Sequence, residues 1–249
     1  MPRRTRAAIC DYIRRDIEVK FLKRMWYYVR MKYLEGLNDA QKKAVLHTTG
    51  PLMIIAGAGA GKTKTITHRI AHLIATGVPS DSILAVTFTN KAAGEMRERV
   101  ENLLATLSEA NFPLSARADS RMPLVSTFHS LGVRLLREHA SLVGLPRSFT
   151  IWDRADSSRA IKKILEDMDM GKQYEPRAVL SKISRLKGDS VSREDFTTDA
   201  KNPWDQTVAQ VWRKYTEALA REHALDFDDL LLTTLTLLTK NPAALARCR

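Results

Sequence analysis

Residues Ile54–Ile70 read IIAGAGAGKTKTITHRI. A short apolar run gives way to alternating Gly and Ala, then to a Lys-Thr pair, then to a segment with helical spacing. Within it, Ala56–Thr63 is A-G-A-G-A-G-K-T, the phosphate-loop pattern with Ala at its first position. Each part of that pattern has a physical cause. Amides of a tight loop turn inward as a nest for phosphate oxygens, and bulky side chains would block that approach. A helix that starts at the loop points the positive end of its dipole at the same anion. Lys62 can reach the β- and γ-phosphates of a nucleotide, and the Thr63 hydroxyl can ligate an accompanying Mg²⁺. The spacing predicts a buried strand over Leu52–Ala56 and a helix over Lys62–Thr76, the context the motif requires.

The same strand-then-helix rhythm continues outward. Ile83–Phe88 is a second apolar run, followed by helical spacing over Lys91–Thr106. Leu124–Phe128 is a third, leading into a helix over Leu131–His139. Three such units predict an α/β fold, a parallel sheet flanked by helices. The polar stretch Leu107–Pro123 reads as a surface loop. After about Gly144 the strand signals stop. Ile161, Ile164, Leu165 and Met168 mark one helix face, Pro176 opens another helix through Leu186, and Val208, Val211, Trp212, Tyr215 and Leu219 mark a third. Residues 144–224 therefore read as an all-helical insertion. Asp226 can then cap a last helix over Phe227–Thr239.

Composition bounds the function classes. The 249 residues carry 40 Lys+Arg against 28 Asp+Glu, a formal net charge of +12. That balance fits a polyanionic partner and is equally compatible with a soluble protein that is simply basic. Two cysteines, Cys10 and Cys248, stand in no CxxC pairing, which argues against a disulfide framework or zinc site and fits a reducing, cytoplasmic compartment. The longest apolar stretch, Leu230–Leu238, is interrupted by Thr and falls far short of the ~20 residues that span a bilayer. Residues 1–36 differ from the rest. Ile9, Ile13, Ile17, Phe21, Met25 and Tyr28 form a helical stripe among many Arg and Lys residues. This N-terminal helical extension reads either as an arm for nucleic acid or as a docked helix with a solvated basic face. Initiation at Met25 or Met31 is a further option.

Three blocks beside the phosphate loop carry a family resemblance. They are L-N-x-x-Q at Leu37–Gln41, AVTFTNKAAGEMRERV at Ala85–Val100, and STFHS at Ser126–Ser130. Together they resemble the UvrD/Rep/PcrA family of superfamily 1 DNA helicases, above all its PcrA-like members. The likeness continues through Glu175-Pro-Arg and Leu225-Asp-Phe-Asp-Asp-Leu-Leu. It implies a RecA-like ATP-binding lobe over 37–143 and 225–249, interrupted by the helical insertion at 144–224. It implies ATP and Mg²⁺ as cofactors, held by Gln41, Ala56, Gly57, Ala58, Gly59, Ala60, Gly61, Lys62, Thr63 and Lys64, with Lys62 and Thr63 serving catalysis. In that family the glutamine reads the adenine edge, and a side-chain amide offers the donor and acceptor this needs.

The other two blocks are implied to grip single-stranded DNA. Phe88 sits at a strand's carboxyl end, where open α/β sheets place their ligands. A ring there can stack on any base, while Thr87, Thr89 and Asn90 offer hydrogen bonds to phosphate and Lys91 offers charge. Thr127, Phe128 and His129 repeat the arrangement one strand over. Taken alone, either ring could instead be core. The implied activity is Mg·ATP-driven translocation 3′ to 5′ along a single strand with separation of duplex DNA. Beyond DNA and ATP, neither a membrane nor another small-molecule substrate is expected.

Ala60 stands where the family usually has Ser, and Lys64 where it usually has Arg, losing planar bidentate contact. The family's Asp-Glu block, which holds Mg²⁺ and activates water, comes shortly after the position of Arg249, as do its γ-phosphate-sensing arginines and second lobe. The resemblance thus implies the first part of a helicase, binding nucleotide weakly and hydrolysing it negligibly. Asp226, Asp228 and Asp229 precede an apolar helix instead of ending a strand, so they read as cap and surface charges. His68 and His72 are four apart, as in zinc proteases, but lack the intervening Glu and read as surface or packing residues. Three alternatives stay open. A nucleotide kinase is opposed by Phe88, Asn90, Phe128 and His129. A non-catalytic nucleic-acid-binding module would share every motif present. A helicase–nuclease subunit is disfavoured by the Thr89-Asn-Lys-Ala-Ala wording.

Overall fold

The computed structural model describes residues 33–109 and 122–248, and the chain divides between Thr127 and Phe128 into two units. The basic arm expected over 1–36 lies outside the described residues except for the Tyr33–Gly36 turn. Most of the loop expected over 107–123 lies outside them as well.

In the first unit, α1 (Asp39–Leu46) starts under a capping box. Asn38 Oδ1 accepts the Gln41 N–H at 2.9 Å, and Gln41 Oε1 accepts the Asn38 N–H at 3.0 Å. Helix α2 (Lys62–Ala75) packs against α1 and against α3 (Asn90–Glu109). Its apolar residues face two ways. Ile70 and Ile74 join Met96 and Val100 of α3, the strand residues Ala85 and Val125 and the preceding Ile83, while Ala71 and Ala75 join Tyr33, Leu34, Leu37 and Val45. Strands β1 (Leu84–Thr87) and β2 (Leu124–Thr127) run parallel, with Leu84 opposite Leu124 and Thr87 opposite Thr127.

The strand expected over Leu52–Ala56 does not form. Residues 51–57 have no ladder partner among the described residues, and Met53 and Ile55 are 82% and 88% exposed. A parallel strand buried on both faces is made by its neighbours, through ladder bonds at its edges and helices over its faces. Here β1 and β2 bond to each other, and neither gives an edge to 51–57. The run has the composition of a central strand without the pairing, so the expected sheet of three strands is a sheet of two.

The second unit opens with α4 (Phe128–Glu138), which begins earlier than the expected Leu131. After β3 (Thr150–Ile151) come α5 (Arg154–Asp167), α6 (Pro176–Gly188), α7 (Arg193–Asp199) and α8 (Pro203–Arg221). Asp153, Ser192 and Asn202 cap α5, α7 and α8 with side-chain oxygens, and Pro176 and Pro203 occupy first helical positions. Their apolar stripes meet in one core that includes Ile161, Leu165, Val179, Ile183, Trp212 and Tyr215. Strand β4 (Ala224–Leu225) pairs in parallel with β3, Thr150 opposite Ala224, and brings the two ends of the helical block side by side. Helices α9 (Phe227–Lys240) and α10 (Pro242–Ala246) follow. α9 crosses α4 closely at Gly132, where a Cβ would lie 2.8 Å from Thr234 Oγ1 and 3.4 Å from the Leu230 carbonyl. The architecture is a helix-rich α/β fold with two separate two-stranded parallel sheets. No described helix is long and apolar enough to cross a membrane.

A buried ionic node joins α6, α8 and α9. Lys187 Nζ donates to Asp226 Oδ2 at 2.7 Å and pairs with Asp229 Oδ1 at 2.8 Å, while the Tyr215 hydroxyl donates to Asp226 Oδ2 at 3.1 Å. Asp226 Oδ1 also caps α9 by accepting the Asp229 N–H at 2.8 Å. Asp226 is the expected cap, but it is buried and ion-paired and so is no surface charge. Burial alone would lower the Lys187 pKa; the two carboxylates outweigh it and hold the ammonium above the usual lysine range. One cation between two carboxylates leaves negative charge in excess. Burial pushes Asp229 up to about 6, with Asp226 adding to the rise against the pull of Lys187.

Two outcomes follow from this node. Lys187→Ala leaves two buried carboxylates uncompensated and is expected to destabilise the fold by about 3–5 kcal/mol in urea unfolding; a loss under about 1 kcal/mol would show that the node is solvated. Asp229 keeps its proton up to about 6 when folded but releases it near 3.8 when unfolded. Its contribution is therefore present below 3.8 and lost as pH rises through 6. Relative to Asp229→Asn, the wild-type chain should gain stability between about pH 7.5 and about pH 4.5. A pH-independent difference would contradict the assignment.

Candidate nucleotide site and nucleic-acid contacts

The loop before α2 is bare backbone held in left-handed conformations. Gly59 has φ +77° and Gly61 φ +79°, and Gly61 caps α2 with its carbonyl accepting the Thr65 N–H at 2.9 Å. A Cβ on Gly57 or Gly59 would meet nothing within 4 Å, so the loop presents an open face. A Cβ on Gly61 would lie 2.7 Å from Gln41 Nε2, so glycine there satisfies both the backbone and a close neighbour. The first turn of α2 contains no acidic residue to compete with an anion for its dipole.

The polar side chains around the loop are bonded to backbone carbonyls. Lys62 Nζ donates to Ala56 O at 2.9 Å and to Gly57 O at 2.8 Å, folding its charge back across the loop. Gln41 is held at both ends of its amide, with Oε1 in the cap of α1 and Nε2 donating to Ala60 O at 3.0 Å. This brings Gln41 and the Ala56–Lys62 loop together. Thr63 sits half-buried at the second position of α2, and Ala58 and Ala60 are exposed on the loop. Lys64 points elsewhere, its Nζ donating to Gly36 O at 2.7 Å.

His68 and His72 continue the Lys64 stripe along α2 and are buried. His68 Nδ1 bonds the Tyr33 carbonyl, and His72 Nδ1 bonds the Tyr33 hydroxyl at 2.7 Å. They are packing residues that fasten the turn before α1. The four-residue spacing was visible in the sequence; the partner, Tyr33, was not, because it lies 39 positions from His72. Among the described residues no group of three or more His, Cys, Asp or Glu is placed to hold a metal.

The residues assigned to single-stranded DNA fall in both units, and each set stands at a strand-to-helix junction. In the first unit, Phe88 follows β1 and is 90% exposed, so it is not core. Thr89 caps α3 by accepting the Ala92 N–H at 3.2 Å, and Thr87 Oγ1 donates to Thr89 O at 3.0 Å. These bonds fix the bend that carries Phe88 outward. Asn90 Oδ1 accepts from Thr127 Oγ1 at 3.5 Å, linking the ends of β1 and β2, and Lys91 is exposed. In the second unit, Phe128 is the first residue of α4 and not the last of a strand, and it is 44% exposed. The His129 ring meets Phe227 edge-on, with centroids 5.5 Å apart. His129 is thus partly engaged by α9, a contact that sequence spacing did not foretell.

Residues 37–249 match the UvrD/REP helicase N-terminal domain. The ATP-dependent DNA helicase PcrA of Bacillus subtilis (strain 168) is 41% identical over 220 residues, covering 88% of this chain and 28% of that protein. The protein of the same name from Leuconostoc citreum is 42% identical over 214 residues, covering 85% of this chain and 27% of its own length. That from Staphylococcus aureus (strain Mu50 / ATCC 700699) is likewise 42% identical, with 85% and 28% covered. The chain therefore spans less than a third of the curated relatives it matches. The glycine-rich loop, Gln41 and the two strand-end blocks all lie within the matched residues, and the chain belongs to the UvrD/REP helicase N-terminal domain family.

Proposed function

We propose that this chain is the ATP-binding and single-strand-gripping part of an ATP-dependent 3′-to-5′ DNA helicase. The observation that carries the reading is the loop, with Gly59 and Gly61 baring backbone at the start of a helix and Lys62 and Thr63 immediately inside it. A triphosphate answers each feature: amides for its oxygens, the helix dipole and Lys62 for its charge, and the Thr63 hydroxyl for its Mg²⁺. Lys62 leaves two neutral carbonyls to reach phosphate, exchanging them for charge-assisted bonds that are stronger. Gln41 likewise releases Ala60 O and offers its amide to the adenine edge. When bound, Mg²⁺ withdraws charge from the β- and γ-phosphates.

Single-strand contact rests on Phe88. An exposed ring at a fixed strand end is a stacking platform, and Thr87, Thr89, Asn90 and Lys91 surround it with phosphate-binding groups. Thr127, Phe128 and His129 offer a second set of such groups at the other strand-to-helix junction. The domain organisation that goes with this reading is a RecA-like lobe over 37–143 and 225–249 with residues 144–224 inserted. The β3–β4 pair supports it, since an inserted block needs its entry and exit side by side. Turnover needs an acid at a strand end to hold Mg²⁺ and orient water. Asp226 and Asp229 are occupied by Lys187, so neither is offered for that role.

Two measurements test this function. Lys62→Ala should weaken Mg·ATP binding in calorimetric titration by at least about tenfold, the loss expected for a charged hydrogen-bond donor. Undiminished affinity would remove the phosphate-loop argument. Phe88→Ala should weaken binding of a fluorescent oligothymidylate by ~1–3 kcal/mol in anisotropy titrations. Equal affinity would show that no base stacks on this ring. A wild-type chain that binds ATP but no oligonucleotide would favour the nucleotide-kinase alternative.

A further inference from the structure

Lys64, His68 and His72 lie one helical turn apart on a single stripe of α2, and all three bond the Tyr33–Gly36 turn. We infer that this stripe is a clamp that positions Gln41 for the nucleotide base, with Lys64 as its positioning residue nearest the site. The inference rests on the nucleotide reading above and adds residues that act through Gln41.

The contacts define the clamp. Lys64 Nζ donates to the Gly36 carbonyl at 2.7 Å, His68 holds the Tyr33 carbonyl, and His72 holds the Tyr33 hydroxyl at 2.7 Å. Tyr33, Leu34 and Leu37 are buried with Val45 of α1 and Ala71 and Ala75 of α2, so the turn is seated on α2 by packing as well as by hydrogen bonds. Gly36 has φ +68°, and a Cβ there would lie 3.1 Å from Lys64 Nζ. Glycine therefore permits both the turn and the approach of the lysine. Two residues later, Asn38 begins the capping box that fixes Gln41, and Gln41 reaches back to Ala60.

The same helix thus meets the glutamine segment twice, once through the phosphate loop at its start and once through the stripe. The separation between the phosphate cradle and the Gln41 amide is set by a rigid helix instead of by the irregular residues 47–55 between α1 and the loop. Lys64 contributes by holding a backbone carbonyl in place. A direct phosphate contact is not needed for this role.

The test separates base recognition from phosphate recognition. Mg·ATP and Mg·tripolyphosphate are titrated by calorimetry into the wild-type chain, Lys64→Met, Lys64→Arg and Tyr33→Phe, with thermal unfolding confirming that each is folded. The wild type should prefer ATP over tripolyphosphate. That preference should fall about tenfold in Lys64→Met and severalfold in Tyr33→Phe. It should persist in Lys64→Arg, whose guanidinium can donate to the same carbonyl. A preference kept in Tyr33→Phe overturns the clamp, whatever Lys64→Met does, because a loss at Lys64 alone would make that lysine a direct contact of the base. An equal loss for both ligands in Lys64→Met also overturns it, by making Lys64 a phosphate contact. If the wild type binds neither ligand, the nucleotide reading falls and the clamp with it.

Discussion

Gly61 is the constraint on which the first unit turns. Its left-handed backbone ends the glycine-rich loop, its carbonyl starts the hydrogen-bond ladder of α2, and its missing side chain admits the Gln41 amide. Any other residue would strain the first feature and block the third. The helix that begins there is gripped on two faces, by Ile70 and Ile74 against α3 and the strands and by Ala71 and Ala75 against the Tyr33 turn. Local backbone freedom and helix packing thus converge on one loop, bare of bulky side chains and seated at the start of a well-packed helix.

The second unit is organised on different terms. Its apolar residues form two clusters, one among α5 to α8 and one around α4 and α9, and it buries Lys187 between Asp226 and Asp229 where α6, α8 and α9 meet. Buried ion pairs add little net stability compared with apolar residues of the same shape, but breaking one is severe. Their geometry is demanding, so they favour one arrangement of the helices over others. Here the node is also the cap of α9, which ties the register of that helix to the helical block beside it.

Elements with a strong period were legible in the sequence. The stripes of α2, α3, α5, α6, α8 and α9 repeat at three and four residues, and caps such as Asp226 mark where they start. The bare loop before α2 was legible because alternating Gly and Ala leave the backbone open, and Gly59 and Gly61 take left-handed conformations there. Features set by distant partners were not. Leu52–Ala56 has the composition of a strand, but a strand exists only where a neighbour supplies its ladder. β3 and β4 are two residues each, too short to show alternation. Lys187 resembles an ordinary basic residue at a helix end, and only folding brings it to Asp226, 39 positions away. Phe88 could not be told from core by type, since its exposure depends on the Thr87–Thr89 bend that turns it outward.

The central claim is that the amides between Gly57 and Thr63 receive a triphosphate. Amide nitrogen–proton NMR spectra of the isotopically labelled chain, recorded while a non-hydrolysable Mg·ATP analogue is added, address it most directly. The account predicts that the largest shifts fall on Gly57, Gly59, Gly61, Lys62 and Thr63, with a second group at Gln41. Shifts confined to other parts of the chain, or none at ligand concentrations that saturate binding, would contradict it.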